Sequence, residues 1–177
     1  MSRVVIVGDK IAKRYGRLLE FVAAKDARII FMRALNRGGE QARTQVRRSL
    51  VRQTGIAYGK IRQAVTEEKA RPNSLEYSLI ATGGETNIGL FKARQGKRGV
   101  SAAPWHKRRV FKGTFIVPAY GGRVFKRIGS ERGPLEALWG PNIAREMLRP
   151  PTVNEWDKVG PFVLRRVEHE LMRLFNR

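Results

Sequence analysis

The chain has 177 residues, 42% of them hydrophobic, and a formal net charge of +21 at pH 7. This length and apolar content suit a single domain with one core, and the absence of cysteine excludes disulfides and thiolate metal sites. A charge this large favours a polyanionic or acidic partner: nucleic acid first, an acidic protein surface second and an anionic membrane third.

The positive charge is unevenly distributed along the chain. Residues 1–68 carry 15 basic and 6 acidic side chains, and residues 69–130 carry 13 basic and 2 acidic ones. Residues 131–177 carry 8 basic and 7 acidic side chains. The excess of positive charge therefore ends where the apolar segment "ERGPLEALWGPNIAREMLRPP" begins.

The N-terminal stretch "SRVVIVG" predicts a short strand or arm over residues 1–8. Its apolar run is too short for the core of a signal peptide or for a membrane span. We therefore expect a chain that is cytoplasmic when made and that has no membrane partner.

Helical spacing of apolar residues predicts helices over residues 9–66. A first helix begins at Asp9, and a longer one runs from Asp26 to about Thr54, with Gly38-Gly39 allowing a kink in it. Gly55 is a suitable residue to end the long helix. The predicted buried side of the long helix consists of Phe31, Leu35, Ala42, Val46 and Leu50.

The period changes to that of strands over residues 69–130. "LEYSLIAT" alternates as a strand does, "NIGLFKAR" and "GVSAAPW" predict two strands joined around "QGKR", and "RRVFKGTFIV" and "RVFKRIG" predict a hairpin across "PAYGG". These patterns predict an antiparallel sheet of about five short strands.

The last third predicts a loop-like segment and a helix. Residues 131–152 combine apolar side chains with glycine and proline breakers, and Pro150-Pro151 ends this segment before a C-terminal helix over residues 153–177. The whole chain is thus predicted to be one α+β domain, with N-terminal helices packed on the sheet and a helix at the C-terminus.

No arrangement of residues in the sequence predicts catalysis. The two histidines, His106 and His169, begin no metal-ligand or catalytic pattern, and "RQGKRG" lacks the spacing of a phosphate-binding loop. We expect neither enzymatic activity nor a metal or cofactor.

Basic side chains cluster in "KARQGKRG" and "HKRRVFK", and many arginines lie on the predicted long helix, where Glu40 is the only acid between Arg28 and Arg52. A cluster of this kind is either a solvated surface or a site of contact with phosphate, in which charge rather than base-edge geometry does the binding. No motif for sequence-specific recognition is present. One open alternative is therefore a sequence-independent nucleic-acid-binding module.

Four stretches resemble the minor tail protein Z family, the tail-completion proteins of long-tailed bacteriophages. They are "RALNRGGEQARTQVRR", "TGIAYGKIRQAV", "ARQGKRGVSA" with "KRRVFKGTFIV", and "GPLEALWGPNIAREM". The resemblance implies a structural virion protein at the head-proximal end of the tail, made in the host cytoplasm, with no activity and no cofactor. It also implies a hexameric ring that contacts the tail terminator or tail tube protein, the head connector proteins and the genome DNA in the channel.

In this context the apolar segment has two interpretations. It is either a covering loop that completes the domain's own core, or an interface with the next subunit or ring, in which apolar anchors dominate the binding energy. The second hypothesis assigns to the interface Leu135, Leu138, Trp139, Pro141 and Met147.

The basic residues are assigned in the same way. Arginines on a rigid helix can line a channel in a stable row, so Arg33, Arg37 and Arg48 are predicted to approach the DNA. Long side chains on a hairpin loop can reach an acidic neighbour, so Arg94, Lys97 and Arg98 are predicted to contact a partner protein. The alternative for both groups is that they face bulk solvent.

Overall fold

A computed structural model describes residues 2–7 and 24–175 of the chain. The predicted helix from Asp9 lies outside these residues. The described helices are α1 (Ala24–Thr54), α2 (Tyr58–Ala64), α3 (Ile143–Met147), α4 (Pro150–Asp157) and α5 (Val159–Phe175). The described strands are β1 (Ser2–Val7), β2 (Val65–Glu68), β3 (Glu76–Ala81), β4 (Glu85–Asn87), β5 (Arg94–Gly96), β6 (Gly99–Ala102), β7 (Arg109–Lys112), β8 (Thr114–Val117), β9 (Arg123–Arg127), β10 (Leu135–Ala137) and β11 (Trp139–Asn142).

The long helix α1 is confirmed, and its apolar side forms the centre of the core. All five residues predicted for that side are buried. The helix ends at Thr54 because Gly55 takes a left-handed conformation with φ of 76°, and its N–H donates to the Val51 carbonyl at 2.9 Å. Helices α4 and α5 pack on one side of α1, and strand β3 packs on another.

The glycine pair of α1 serves close packing. The helix is continuous across Gly38 and Gly39. A Cβ at Gly38 would overlap the Val163 side chain of α5, and one at Gly39 would overlap the ring of Tyr77 on β3. The pair therefore lets α1 approach a helix on one side and a sheet on the other.

The α+β class is confirmed, with the described strands divided among several small antiparallel sheets. The strand orders are β1-β3-β2, β10-β9-β8, β11-β4 and β5-β6-β7. The predicted N-terminal strand is β1, and "LEYSLIAT" contains β3, which is the central strand of its sheet. Where the sequence predicts a single sheet of about five strands, the described strands pair in groups of two and three.

Two strand predictions need correction. "NIGLFKAR" is not a strand, because Ile88–Leu90 forms a 3-10 turn between β4 and the three-residue β5. "RRVFKGTFIV" is divided at Gly113, whose φ of 68° is left-handed, into β7, which pairs with β6, and β8, which pairs with β9. The predicted hairpins around "QGKR" and "PAYGG" are both present.

The segment over residues 131–152 is not a loop. It contains β10, β11 and α3, and Pro150 begins α4 instead of ending the segment. Proline is tolerated in the first turn of a helix because its missing N–H would have no partner there. The predicted C-terminal helix consequently consists of two helices, α4 and α5.

An ionic cluster joins α1 to the sheet of β1, β3 and β2. Arg43 of α1 pairs with Glu67 of β2, and the Tyr77 hydroxyl donates a hydrogen bond to the same carboxylate. Burial, followed by the hydrogen bond to Glu67 and the charge of that carboxylate, raises the pKa of Tyr77. The folded state therefore keeps the phenol protonated at a pH where the unfolded state releases the proton.

We expect the free energy of unfolding to decrease above about pH 10, where the Tyr77 phenol ionises only in the unfolded state. Below that pH the contribution is fully present, and above it the loss approaches about 1.4 kcal/mol per pH unit, because the folded state then binds one proton more. Urea unfolding of Tyr77→Phe between about pH 8 and 11.5 should show a shallower decline than the wild type. Tyr120→Phe, at a side chain that is 59% exposed, is the control and should keep the wild-type slope. Equal slopes in all three proteins would contradict the prediction.

Candidate cationic surface and subunit interface

One continuous stretch of sequence supplies most of the exposed positive charge of the β region. Residues 86–130 contain eleven basic residues and no Asp or Glu. All eleven side chains are exposed. We call them the cationic surface, and its members are Lys92, Arg94, Lys97, Arg98, Lys107, Arg108, Arg109, Lys112, Arg123, Lys126 and Arg127.

Strand alternation brings part of the cationic surface to one side of the β5-β6-β7 sheet. Val100 and Ala102 of β6 are buried on the inner side. Arg94 is paired with Ser101 across the sheet and Lys112 with Gly99, so both basic side chains lie on the outer side. Lys97 and Arg98 form the two-residue turn between β5 and β6 and are exposed at its tip. The structure thus brings the predicted docking residues Arg94, Lys97 and Arg98 together on one hairpin.

Some members of the cationic surface have defined contacts, and these contacts are with neutral groups and not with carboxylates. Arg108 donates to the Ser101 hydroxyl at 3.0 Å and to the Lys92 carbonyl at 3.1 Å. The guanidinium of Arg109 lies 5.9 Å from the centroid of the Phe111 ring. Within residues 2–7 and 24–175, no member of this surface forms an ion pair with a carboxylate. The surface therefore carries positive charge that the described chain does not neutralise.

Five of the seven arginines of α1 form two groups. Arg33, Arg37 and Arg48 are exposed and share one side of the helix, since they are four and eleven residues apart. Arg43 and Arg47 lie on the side that faces the first sheet, where Arg43 pairs with Glu67 and Arg47 donates to the Val65 carbonyl. The exposed row is available to a partner, and its approach to DNA stays a prediction.

Only some of the predicted interface residues are on the surface. Leu135 is 37% exposed and Trp139 is 48% exposed. Leu138 is half-buried and packs against the core. Pro141 and Met147 are buried, because β11 and α3 turn them inward and Met147, 1% exposed, joins the core cluster. The covering-loop interpretation therefore applies to the residues that pack inward. Leu135 and Trp139 are the remaining candidates for an interface.

The sequence interpretation missed a buried carboxylate that connects three parts of the fold. Glu146 of α3 is 2% exposed. Its carboxylate accepts hydrogen bonds from the Gln53 amide at the end of α1 and from the Trp105 indole at 3.1 Å, and it pairs with Arg149 at 3.0 Å. Its spacing of three residues from Ile143 places it on the buried side of a short helix, and that signal could have identified it.

Within residues 2–7 and 24–175, no group of three or more histidine, cysteine, aspartate or glutamate side chains is arranged to hold a metal ion. The helices in this part of the chain are all too short or too polar to cross a membrane.

No family model, curated protein or solved structure matches the chain. The resemblance to tail-completion proteins therefore stays a prediction that rests on the four sequence stretches.

Proposed function

We propose that the chain is a structural virion protein at the head-proximal end of a long phage tail. In this proposal it forms a hexameric ring that completes the tail, supports head–tail joining and lets the genome pass. Its neighbours are the tail terminator or tail tube protein and the head connector proteins. It acts mechanically and electrostatically, without a cofactor.

The observation that carries the proposal is the cationic surface. Eleven exposed basic side chains with no carboxylate partner in the described chain repel one another, and an assembly with DNA or acidic proteins would relieve that repulsion. A tail ring around a DNA channel supplies both kinds of neighbour. The sequence stretches that resemble tail-completion proteins favour this assembly over other polyanionic environments.

Electron microscopy of purified virions labelled with an antibody against this chain tests the proposal. We expect the label at the junction of head and tail, and we expect particles that lack the protein to accumulate as unjoined heads and tails. Label on no part of the virion would contradict the proposal.

The same cationic surface also favours a second function, a nucleic-acid-binding module that recognises duplexes without sequence preference. Such a module would bind DNA as a monomer, with an affinity that falls steeply as salt increases, because binding releases counterions. The two functions differ in assembly. Rings, or association with tail tubes, support the virion protein, whereas monomers bound along duplex DNA support the module.

Trp139→Ala should give a folded subunit that enters tails poorly. Trp139 is 48% exposed, so its truncation leaves the core intact. Loss of an interfacial aromatic anchor costs about 2 kcal/mol, or roughly a thirtyfold weaker contact, and a ring repeats the loss at every subunit. Quantitative immunoblotting of purified tails measures the incorporation. Met172→Ala, at an exposed apolar side chain of α5, is the control and should enter tails normally. An unfolded Trp139→Ala subunit, judged by circular dichroism, would place Trp139 in the core instead.

Charge reversal at two sites separates the roles of the basic groups. Lys97→Glu with Arg98→Glu changes the exposed hairpin turn and should block tail completion, because an acidic neighbour would meet carboxylates. Arg37→Glu with Arg48→Glu changes the exposed row of α1 and should allow assembly but slow DNA entry. Tail length and joining by microscopy, together with the rate of genome release, distinguish the two effects. Normal assembly of the hairpin variant, or failed assembly of the helix variant, would reverse the assignment.

A further inference from the structure

The β8-β9-β10 sheet has an apolar outer face that lies apart from the core. Val124 of β9 is 0% exposed on the inner side, and Thr114 of β8 is 4% exposed. Strand alternation places Phe115 and Phe125 on the opposite, outer side. Within residues 2–7 and 24–175, neither phenylalanine belongs to the hydrophobic core or packs against it.

The register of the strands orders this face into rows. Phe115, Phe125 and Ala137 are directly opposite one another and form a central apolar row. Arg123 and Arg127 lie two residues before and after Phe125 on β9, so both flank Phe125 on the same side of the sheet. The Arg127 guanidinium lies 5.5 Å from the centroid of the Phe115 ring. The face is therefore an apolar row between two exposed positive charges.

The chemistry of this face selects an acidic partner with apolar side chains. The three strands contain one carboxylate, Glu136, which is opposite Lys126 on the other side of the sheet, so these strands place no carboxylate on the outer face with Arg123 and Arg127. In contrast, the free energy decreases when apolar groups cover the half-buried phenylalanine rings. A partner that supplies only phosphate would satisfy the arginines and leave the rings uncovered.

Each ring already has one neighbour and is only partly exposed, which disfavours a nucleic-acid base stacked flat on it. Arg127 lies over Phe115, and the ring of Tyr120 is tilted against Phe125 at a centroid distance of 5.6 Å. A second copy that docks through the same face is also disfavoured, because it would bring Arg123 and Arg127 against the same two arginines of its neighbour. Protein of opposite charge is the partner that remains.

We propose that the outer face of the β8-β9-β10 sheet is a docking site for an extended acidic segment of a partner protein. Arg123, Phe125 and Arg127 recur every second residue, about 7 Å apart, which is also the repeat of side chains on one side of an extended segment. Such a segment, with carboxylates on both sides of an apolar residue, matches the face residue by residue. Leu135, which is opposite Arg127 on β10, borders this site and joins it to the proposed ring contact.

This inference does not depend on the virion assignment, because the docking face is a property of the isolated chain. Absence of the protein from tails would refute the proposed function and leave the binding of an acidic segment unaffected.

Two fluorescent peptides of equal length and charge test the site on the full-length protein at fixed salt. One alternates Glu with Leu, and the other alternates Glu with Ser. We expect the Glu-Leu peptide to bind about tenfold more tightly, because only its side chains cover the phenylalanine row. Equal affinity for the two peptides would overturn the proposal, because charge alone would then explain the binding.

A matched pair of variants on β9 tests which side of the sheet is used. Arg127→Gln removes a charge from the outer face and should weaken the Glu-Leu peptide roughly twofold to fivefold. Lys126→Gln removes the same charge at the adjacent exposed residue, whose side chain lies on the other side of the sheet, and should have little effect. Equal weakening by the two variants would overturn the proposal.

Phe125→Ala tests the apolar row and separates the other occupants. We expect it to remove most of the preference for the Glu-Leu peptide and to leave the affinity for duplex DNA unchanged. An equal loss of DNA binding would assign the face to nucleic acid, and self-association of the wild type that Phe125→Ala abolishes in sedimentation would assign it to a second copy. Either result overturns the proposal. Should Phe125→Ala fail to fold, the comparison of Arg127→Gln with Lys126→Gln decides.

Discussion

Gly39→Ala should lower the free energy of unfolding by about 2 kcal/mol, although alanine is the better helix former. A Cβ at this position would lie well inside 3.0 Å of three atoms of the Tyr77 ring, a distance that real Cβ atoms essentially never show. Tyr77 is 0% exposed, and its hydroxyl is held by Glu67, so the ring cannot move aside without breaking that hydrogen bond. Overpacking of this kind costs up to about 3 kcal/mol, and the gain in helix propensity offsets only about 1 kcal/mol of it.

Gly59→Ala is the matched control for this prediction. Gly59 is also helical, in α2, but it is exposed, and a Cβ added there meets no atom within 4 Å. The substitution should therefore be neutral or stabilise the protein by up to about 1 kcal/mol. Thermal unfolding should show a melting temperature roughly 4–8 °C lower for Gly39→Ala and unchanged or slightly raised for Gly59→Ala. Equal melting temperatures in the two variants would mean that α1 and β3 can separate at little cost.

The helical part of the fold was predictable because its determinants are local. The spacing of apolar residues in α1 and the glycine that follows Thr54 are both read within a few turns of one helix. The role of Gly38-Gly39 was not predictable, because it depends on Val163 and Tyr77, which are distant in sequence. Helix propensity indicates that the two glycines weaken α1. The close packing of α5 and β3 against α1, in contrast, requires residues without a side chain at these two positions.

The division of the β region into small sheets could not be derived from alternation alone. Strands β4, β5 and β10 have three residues each, and so short a stretch contains too few residues to establish a period. Strand β3 shows a second limit. Its alternation of apolar and polar residues predicts that only one side is buried, whereas Tyr77 through Ala81 are all buried. Register and sheet membership come from pairings between distant residues.

The candidate surfaces were predictable to different degrees. The basic hairpin was identified correctly as a group, because its residues are adjacent in sequence and join across a two-residue turn. In the apolar segment, the sequence did not predict which residues are exposed and which are buried. Its chain changes from β11 to α3 within a few residues, so no single period applies to Trp139 and Met147. The outer face of the β8-β9-β10 sheet was missed, because a half-buried phenylalanine has the same sequence pattern as one in the core.

Glu146 connects the helical layer to the β region, and its removal should strongly destabilise the fold. It brings together the end of α1 through Gln53, the 3-10 turn Pro104–His106 through Trp105, and α3 itself. That turn has left-handed backbone angles at Trp105 and His106, with φ of 52° and 57°. Non-glycine residues hold such angles only when their surroundings fix them, and the carboxylate at Trp105 is one of the groups that does so.

Glu146→Ala should therefore lower the free energy of unfolding by about 3 kcal/mol, since it leaves the Trp105 indole without its acceptor, leaves the Gln53 amide with only the backbone carbonyl of residue 146, and opens a small cavity. Arg149 is 52% exposed and can be solvated, which keeps the loss below that of a fully buried ion pair. Urea unfolding measures the change, and Glu155→Ala is the control because its partner Lys158 is 68% exposed and the pair contributes less than about 1 kcal/mol. The Trp105 indole N–H should also exchange faster with solvent in Glu146→Ala. Unchanged stability and unchanged exchange would show that packing alone fixes the turn, and the cationic surface that follows it in the sequence would then be positioned without this carboxylate.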